Sequence, residues 1–199
     1  GAFAVSAIII GTLGAVQLAS HQIAISCASV TFMVSWGLAQ GGSIRISNAW
    51  GRNNWTDINN IGKSTLLSGL LYGIFTAVLF ICFRNVLPRA FNGNAAVLSL
   101  SAVLMLFAAV FQISDSTQAI GAGILRGVKD VRVPTWYIAA AYWAIGIPLG
   151  CLMAFTFRLG AAGMWIGFVA GLTFSSLFLN LRFFKILKRN TDMVKVGAF

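Results

Sequence analysis

Residues 107–130 read FAAVFQISDSTQAIGAGILRGVKD, the end of a long apolar segment with one carboxylate, Asp115, set inside it. The chain has four acidic residues: Asp57, Asp115, Asp130 and Asp192. Three lie in polar or basic surroundings, whereas Asp115 is enclosed by residues that otherwise read as a membrane span. An unpaired charge at mid-membrane costs at least ~2.5–3.5 kcal/mol on insertion scales. On a helix Gln112, Asp115 and Gln118 fall three apart and share a face, with Phe111 beside them. Ser114, Ser116 and Thr117 make this turn polar nearly all round, so it belongs in a bundle interior or a wet cavity. No Lys or Arg within the spans is available to pair with the acid. Protonation, or binding of a small monovalent cation, removes most of the cost, and the residue is expected to exchange one or the other; the alternative is a carboxyl that only hydrogen-bonds another helix.

Composition agrees with a lipid environment. The chain is 58% hydrophobic and 9% charged, with a mean hydropathy of +0.86. Soluble domains carry roughly 25% charged residues. Apolar runs recur at about the 20 residues that a helix needs to cross ~30 Å of hydrocarbon. The fold class expected is an all-α polytopic membrane protein, a six-helix bundle whose first helix is truncated. The domain division is 1–187 for the bundle and 188–199 for a basic tail. Three cysteines, Cys27, Cys82 and Cys151, sit in or beside apolar runs with no disulfide framework or CxxC spacing. The chain opens Gly-Ala-Phe, within an apolar stretch and with no basic region leading to a cleavage site, as expected of a piece of a longer protein.

Taken in order, residues 1–16 read as the end of a helix, closed by Gly11 and Gly14. Further spans fall at about 18–44, 63–83, 95–123, 134–156 and 161–181. RISNAWGRNNWTDINNIGK (45–63) reads as a polar loop, and its Asn54-Trp55-Thr56 sequon is placed in the cytoplasm. The tail is expected on the membrane surface, with Phe183, Phe184, Ile186 and Leu187 beside Lys185, Lys188 and Arg189 as an interfacial helix end. Glycines four apart, Gly69/Gly73, Gly146/Gly150 and Gly163/Gly167/Gly171, mark helix faces in close approach.

The net charge of +10 lies in short segments between spans, which fits the positive-inside rule better than a nucleic-acid surface, and no nucleic-acid partner is expected. With six segments, one side holds Arg45, Arg52, Lys63, Arg126, Lys129, Arg132, Arg182, Lys185, Lys188, Arg189 and Lys195; the other holds Arg84, Arg89 and Arg158. Eleven against three makes the first side cytoplasmic, with the C-terminus there. His21 reads as a helix-end residue near the outer face. Tyr142 and Trp143 are candidates for lining a cavity, since aromatic faces hold organic cations. There is no metal cluster, nucleophile–base pair or phosphate loop; neither an enzyme nor a cofactor is expected.

LASHQIA, GLAQGGSIRISNAWGRNN, LPRAF, FQISDSTQAIGAGILRGVKD, YWAIGIPLG and GAAGMWIGFVAGL occur in the order seen in the multidrug and toxic compound extrusion (MATE) family. Over nearly its whole length the chain resembles the C-terminal six-helix half, and around Asp115 it is most similar to the bacterial NorM-type branch. The resemblance implies a secondary transporter of two six-helix bundles around a central cavity in the bacterial inner membrane. It would export organic cations and other drugs in exchange for Na⁺ or H⁺, with the N-terminal half as partner. The family's cation-site aspartate falls on Asp115. A tyrosine four residues earlier in some members is Phe111 here, so that hydroxyl is absent. A glutamate of the first helix falls at or just before Gly1, and Arg45-Ile46-Ser47 replaces the usual Arg-Val-Gly. The alternatives are a lipid-linked oligosaccharide flippase of the same superfamily, which the position of Arg and Lys at helix ends argues against, or a non-transporting membrane subunit.

Overall fold

The computed structural model describes the backbone of residues 1–195 and the side chains of residues 1–190. Within them the chain is helical and contains no strand. In order come α1 (Ala2–Gly11), α2 (Ala15–Gly51), α3 (Trp55–Cys82), α4 (Ala95–Gly127), α5 (Arg132–Thr156) and α6 (Ala161–Lys195). A single 3₁₀ turn, Leu87–Ala90, lies between α3 and α4. Five of the six are long and apolar enough to cross a membrane, and α1 is the short one. Gly14, at φ 119°, makes the sharp turn from α1 into α2, a conformation open to glycine.

The helices outrun the expected spans. Helix α2 continues to Gly51 and α3 starts at Trp55, so the expected loop 45–63 shrinks to Arg52, Asn53 and Asn54. The reason is geometric. At 1.5 Å per residue, α2 is about 55 Å long, well beyond ~30 Å of hydrocarbon. By length its polar end reaches beyond the hydrocarbon into the headgroup region, where polar side chains and helix coexist. Ile46 and Ala49 there are fully buried, as is Ile58 on α3. Asn54 caps α3, its Oδ1 accepting from the Asp57 N–H at 3.0 Å and its Nδ2 donating to Asp57 at 2.9 Å.

Helix α6 likewise runs unbroken past 188 to Lys195. The interfacial reading of Phe183 and Leu187 is corrected here. Both are buried, Phe183 completely, and the Phe183 ring fills the space over Gly62 of α3. Phe184 is exposed. The side chains of the tail beyond residue 190 lie outside the described residues.

Small residues point in and large ones out. On α3, Gly62, Thr65, Gly69, Gly73 and Thr76 are buried, while Leu67, Leu71, Ile74, Phe75 and Val78 are exposed. That inversion suits lipid, which solvates Leu and Phe but does not drive helices together; close contact does. A Cβ added to Gly73 would lie 3.0 Å from the Ile113 Cα of α4. On α6, Gly163, Gly167 and Gly171 meet the backbone of α5 at Ala154, Gly146–Gly150 and Ala141. All three sets of spaced glycines thus stand at helix contacts.

Helix α4 is the centre, packed against α2, α3 and α6, while α5 packs chiefly on α6. Two apolar clusters flank its middle. One gathers Leu104, Met105 and Phe111 with Trp165 and Phe168. The other, at the end carrying the basic loops, gathers Ile46, Ile58, Ile120, Ile124 and Phe183. Between them lies a polar waist. Gln112 donates to the Thr31 hydroxyl, and Ser35 and Ser116 share a hydrogen bond of 2.6 Å. Ser114–Thr173 (2.8 Å) and Thr117–Ser176 (2.7 Å) tie α4 to α6.

Helix α5 is irregular. It widens to π geometry over Ala141–Gly146 and again over Leu152–Thr156. Pro148 lacks the N–H that would bond the Ala144 carbonyl, and its ring crowds that carbonyl, so the preceding turn opens.

Candidate functional site

Asp115 projects from the waist into a cavity of about 480 Å³ bounded by α1, α2, α4 and α5. The volume falls in the range of small-molecule sites, ~300–1,000 Å³. Phe3, Phe32, Trp36, Phe111 and Tyr142 supply aromatic walls, and Asp115, Gln118, Ser29 and Arg126 the polar groups. The Asp115 side chain is nearly enclosed, with 5% exposure. Among the described residues it accepts no hydrogen bond, and the two ion pairs, Arg52–Asp57 and Arg182–Asp130, lie elsewhere. Arg126 stands eleven residues further along α4, about 16 Å by helical rise. It is engaged at the cavity's mouth, donating to Gln40 at 2.9 Å and lying over the Trp36 ring at 5.4 Å. Asp115 therefore keeps its oxygens free for a proton, a metal cation or a cationic group.

The helices fix this arrangement. Phe111, Asp115, Gln118 and Ala122 recur at helical spacing, so one stripe of α4 faces the cavity. Phe111 stands edge-on to Trp165 at 5.4 Å and to Phe3 at 6.3 Å. Tyr142 projects from the widened turn of α5 and meets Phe3 at 5.5 Å. Of the residues singled out from sequence, Phe111, Asp115, Gln118 and Tyr142 meet around one cavity.

Gln112 and Trp143 do not line it. Gln112 is fully buried, turned to Thr31 of α2, with its Oε1 unpartnered. Its face-sharing with Asp115 is only approximate, because three residues advance about 300° around a helix. Trp143 is 55% exposed. His21 is fully buried, with neither ring nitrogen bonded, edge-on to Trp165 at 6.0 Å. Sequence reasoning missed Phe3, Ser29, Phe32, Trp36 and the placement of Arg126. A usable signal existed for three of these: Ser29, Phe32 and Trp36 recur at three- and four-residue steps, a single helical face. Arg126 had counted only as a loop charge. Among the described residues no group of His, Cys, Asp and Glu is arranged to hold a metal by itself.

Membrane-length helices around an apolar chamber, into which an acid unpaired among the described residues projects, define a polytopic α-helical membrane protein. Residues 1–152 match the family model MatE, and the chain belongs to that family. Its fold is similar to those of solved MATE transporters. The eukaryotic MATE transporter AtDTX14 superposes with TM-score 0.87 at 21% identity, over 97% of this chain and 45% of that one. The Vibrio cholerae MATE transporter VcmN, in a bent form, gives 0.81 at 16% identity, over 95% and 43%. A MOP superfamily transporter from Pyrococcus furiosus gives 0.78 at 19%, over 87% and 38%. The chain thus spans less than half the length of the transporters it matches.

Proposed function

We propose that this chain forms the C-terminal half of a secondary antiporter that exports organic cations and other drugs in exchange for Na⁺ or H⁺, with Asp115 as the coupling carboxylate. The observation that carries the reading is an acid without a partner, opening on an apolar, aromatic-walled cavity of ligand size. Family membership and the superposed transporter folds support it.

With Asp115 ionised, the cavity favours a cationic substrate held against Phe32, Trp36 and Tyr142. A proton or Na⁺ arriving from outside neutralises the carboxylate, weakens substrate binding and lets the two halves rearrange. Coupling requires that Asp115 meet the two ions in different conformations. One charge crossing 100 mV is worth about 2.3 kcal/mol and one pH unit about 1.4 kcal/mol, enough for concentrative export. The charge bias between the two ends supports a cytoplasmic C-terminus, and the similarity around Asp115 to the NorM-type branch supports a bacterial plasma membrane.

The test is efflux of a fluorescent organic cation from vesicles containing the full chain, driven in turn by a pH and a Na⁺ gradient. Asp115→Asn is expected to abolish gradient-driven efflux, while Asp115→Glu keeps part of it. The Asn variant should melt no lower than the native protein, because a buried amide is less costly than a buried carboxylate. Unchanged efflux in Asp115→Asn would overturn the assignment. Movement of a lipid-linked sugar instead of the cation would identify a flippase, and failure to move either would identify a non-transporting subunit.

A further inference from the structure

Two cavities that share no residue with the Asp115 chamber adjoin at the basic end of the α2–α3 interface. The first, about 540 Å³, is lined by Arg45, Asn48, Arg52 and Asn60, with Asp57 at its side. The second, about 350 Å³, runs up between the helices over Gly37, Gly41 and Thr65. Arg45 and Ser64 belong to both, so the two form one groove with a polar mouth and a glycine floor. Cβ atoms added to Gly37 or Gly41 would meet nothing within 4 Å, so the floor is open space.

The charges in the mouth are unbalanced. Arg45 is exposed and, among the described residues, makes neither hydrogen bond nor ion pair. Arg52 touches Asp57 at 3.4 Å, but that carboxylate is already bonded by Asn54. Arg45 lies six residues from the end of α2 and Gly37 eight residues deeper, about 9 Å and 21 Å by helical rise. A cationic mouth near the helix ends therefore opens onto a slot running towards mid-membrane. Guanidinium forks match phosphate oxygens, and a slot floored by Gly37 and Gly41, with Leu38 and Thr65 beside them, suits an alkyl chain. Basic pockets between membrane helices are a known setting for anionic headgroups.

We propose that this groove binds an anionic phospholipid, with its phosphate between Arg45 and Arg52 and one acyl chain laid over Gly37 and Gly41. This does not depend on the antiport reading. The full chain, purified in detergent, would be offered equal phosphatidylglycerol and phosphatidylcholine, and the lipid retained would be counted by native mass spectrometry. The native protein should retain phosphatidylglycerol in preference. Near a membrane surface each basic residue contributes about 1 kcal/mol, or roughly fivefold, so Arg45→Gln/Arg52→Gln should lower that preference about 25-fold. Both arginines are exposed, so the variant should fold. Gly41→Leu should displace the lipid with both arginines intact, and inorganic phosphate should not compete. Equal retention of the two lipids, an unaltered preference in the double variant or in Gly41→Leu, or displacement by inorganic phosphate would each overturn the proposal.

Discussion

Ser35 and Ser116 show what the polar waist contributes residue by residue. Both are fully buried, and their hydroxyls bond only each other across α2 and α4 at 2.6 Å. Between membrane helices such bonds average about 0.6 kcal/mol and reach roughly 1.7 kcal/mol. Ser116→Ala is expected to lower stability towards the upper figure, because it leaves the Ser35 hydroxyl unpaired. Adding Ser35→Ala should recover part of the loss, which a double-mutant cycle of melting in detergent would detect as positive coupling. If the two losses simply added, the bond would have no net worth. At this scale the sequence was informative about Asp115, because a lone acid among apolar residues is conspicuous whatever surrounds it. It was not informative about Gln112, whose pairing with Thr31 depends on the rotation of α4 against α2. Glutamine satisfies either setting. Phe32 and Trp36 went unremarked for a related reason, since an aromatic residue in a lipid-bathed helix reads alike whether it faces a cavity or acyl chains.

Glycine spacing was the most legible feature of the elements, and α5 against α6 is the tightest example. A Cβ on Gly167 would lie within 2.6 Å of the Gly150 Cα and would also meet the Gly146 carbonyl. Both obstacles are backbone, which cannot rotate away. Gly167→Val is therefore expected to lose at least the ~1–3 kcal/mol of ordinary overpacking. Gly37→Ala, facing open space, should be near neutral. Melting temperatures of the two in one detergent would check the contrast, and similar values would show that α5 and α6 do not need this approach. Helix lengths were much less legible. Hydropathy measures the part of a helix inside lipid, whereas α2 and α6 are extended by packing among Ile46, Ile58 and Phe183 beyond it. The opened turn at Ala141–Gly146 was foreshadowed by Pro148 between Gly146 and Gly150, whereas nothing in the sequence marks the second at Leu152–Thr156.

Across the whole molecule, alternation of the helices gathers Arg45, Lys63, Arg126 and Arg182 at one end, and Arg182 pairs there with Asp130 of the α4–α5 loop. Cysteines introduced at Asn92 and Asn53, the first half-buried and the second exposed, both in connecting segments, test the orientation. With the native cysteines replaced by serine, Asn92→Cys should react with an impermeant maleimide on intact cells. Asn53→Cys should react only after permeabilisation, and the reverse pattern would invert the topology. The widened turn of α5 bears on how such a molecule could move. Ala141–Gly146 sits mid-helix, with nine residues before it and ten after, so each arm is about 15 Å long. An added bend of about 20°, the scale at which helix kinks count as sharp, would carry the far end of either arm roughly 5 Å. Tyr142 stands at the pivot and hardly travels, while Ile138, four residues before it on the chamber wall, would shift by about 2 Å. The irregular turn of α5 thus falls at a residue that lines the chamber, so a bend there would reshape the wall while leaving Tyr142 in place.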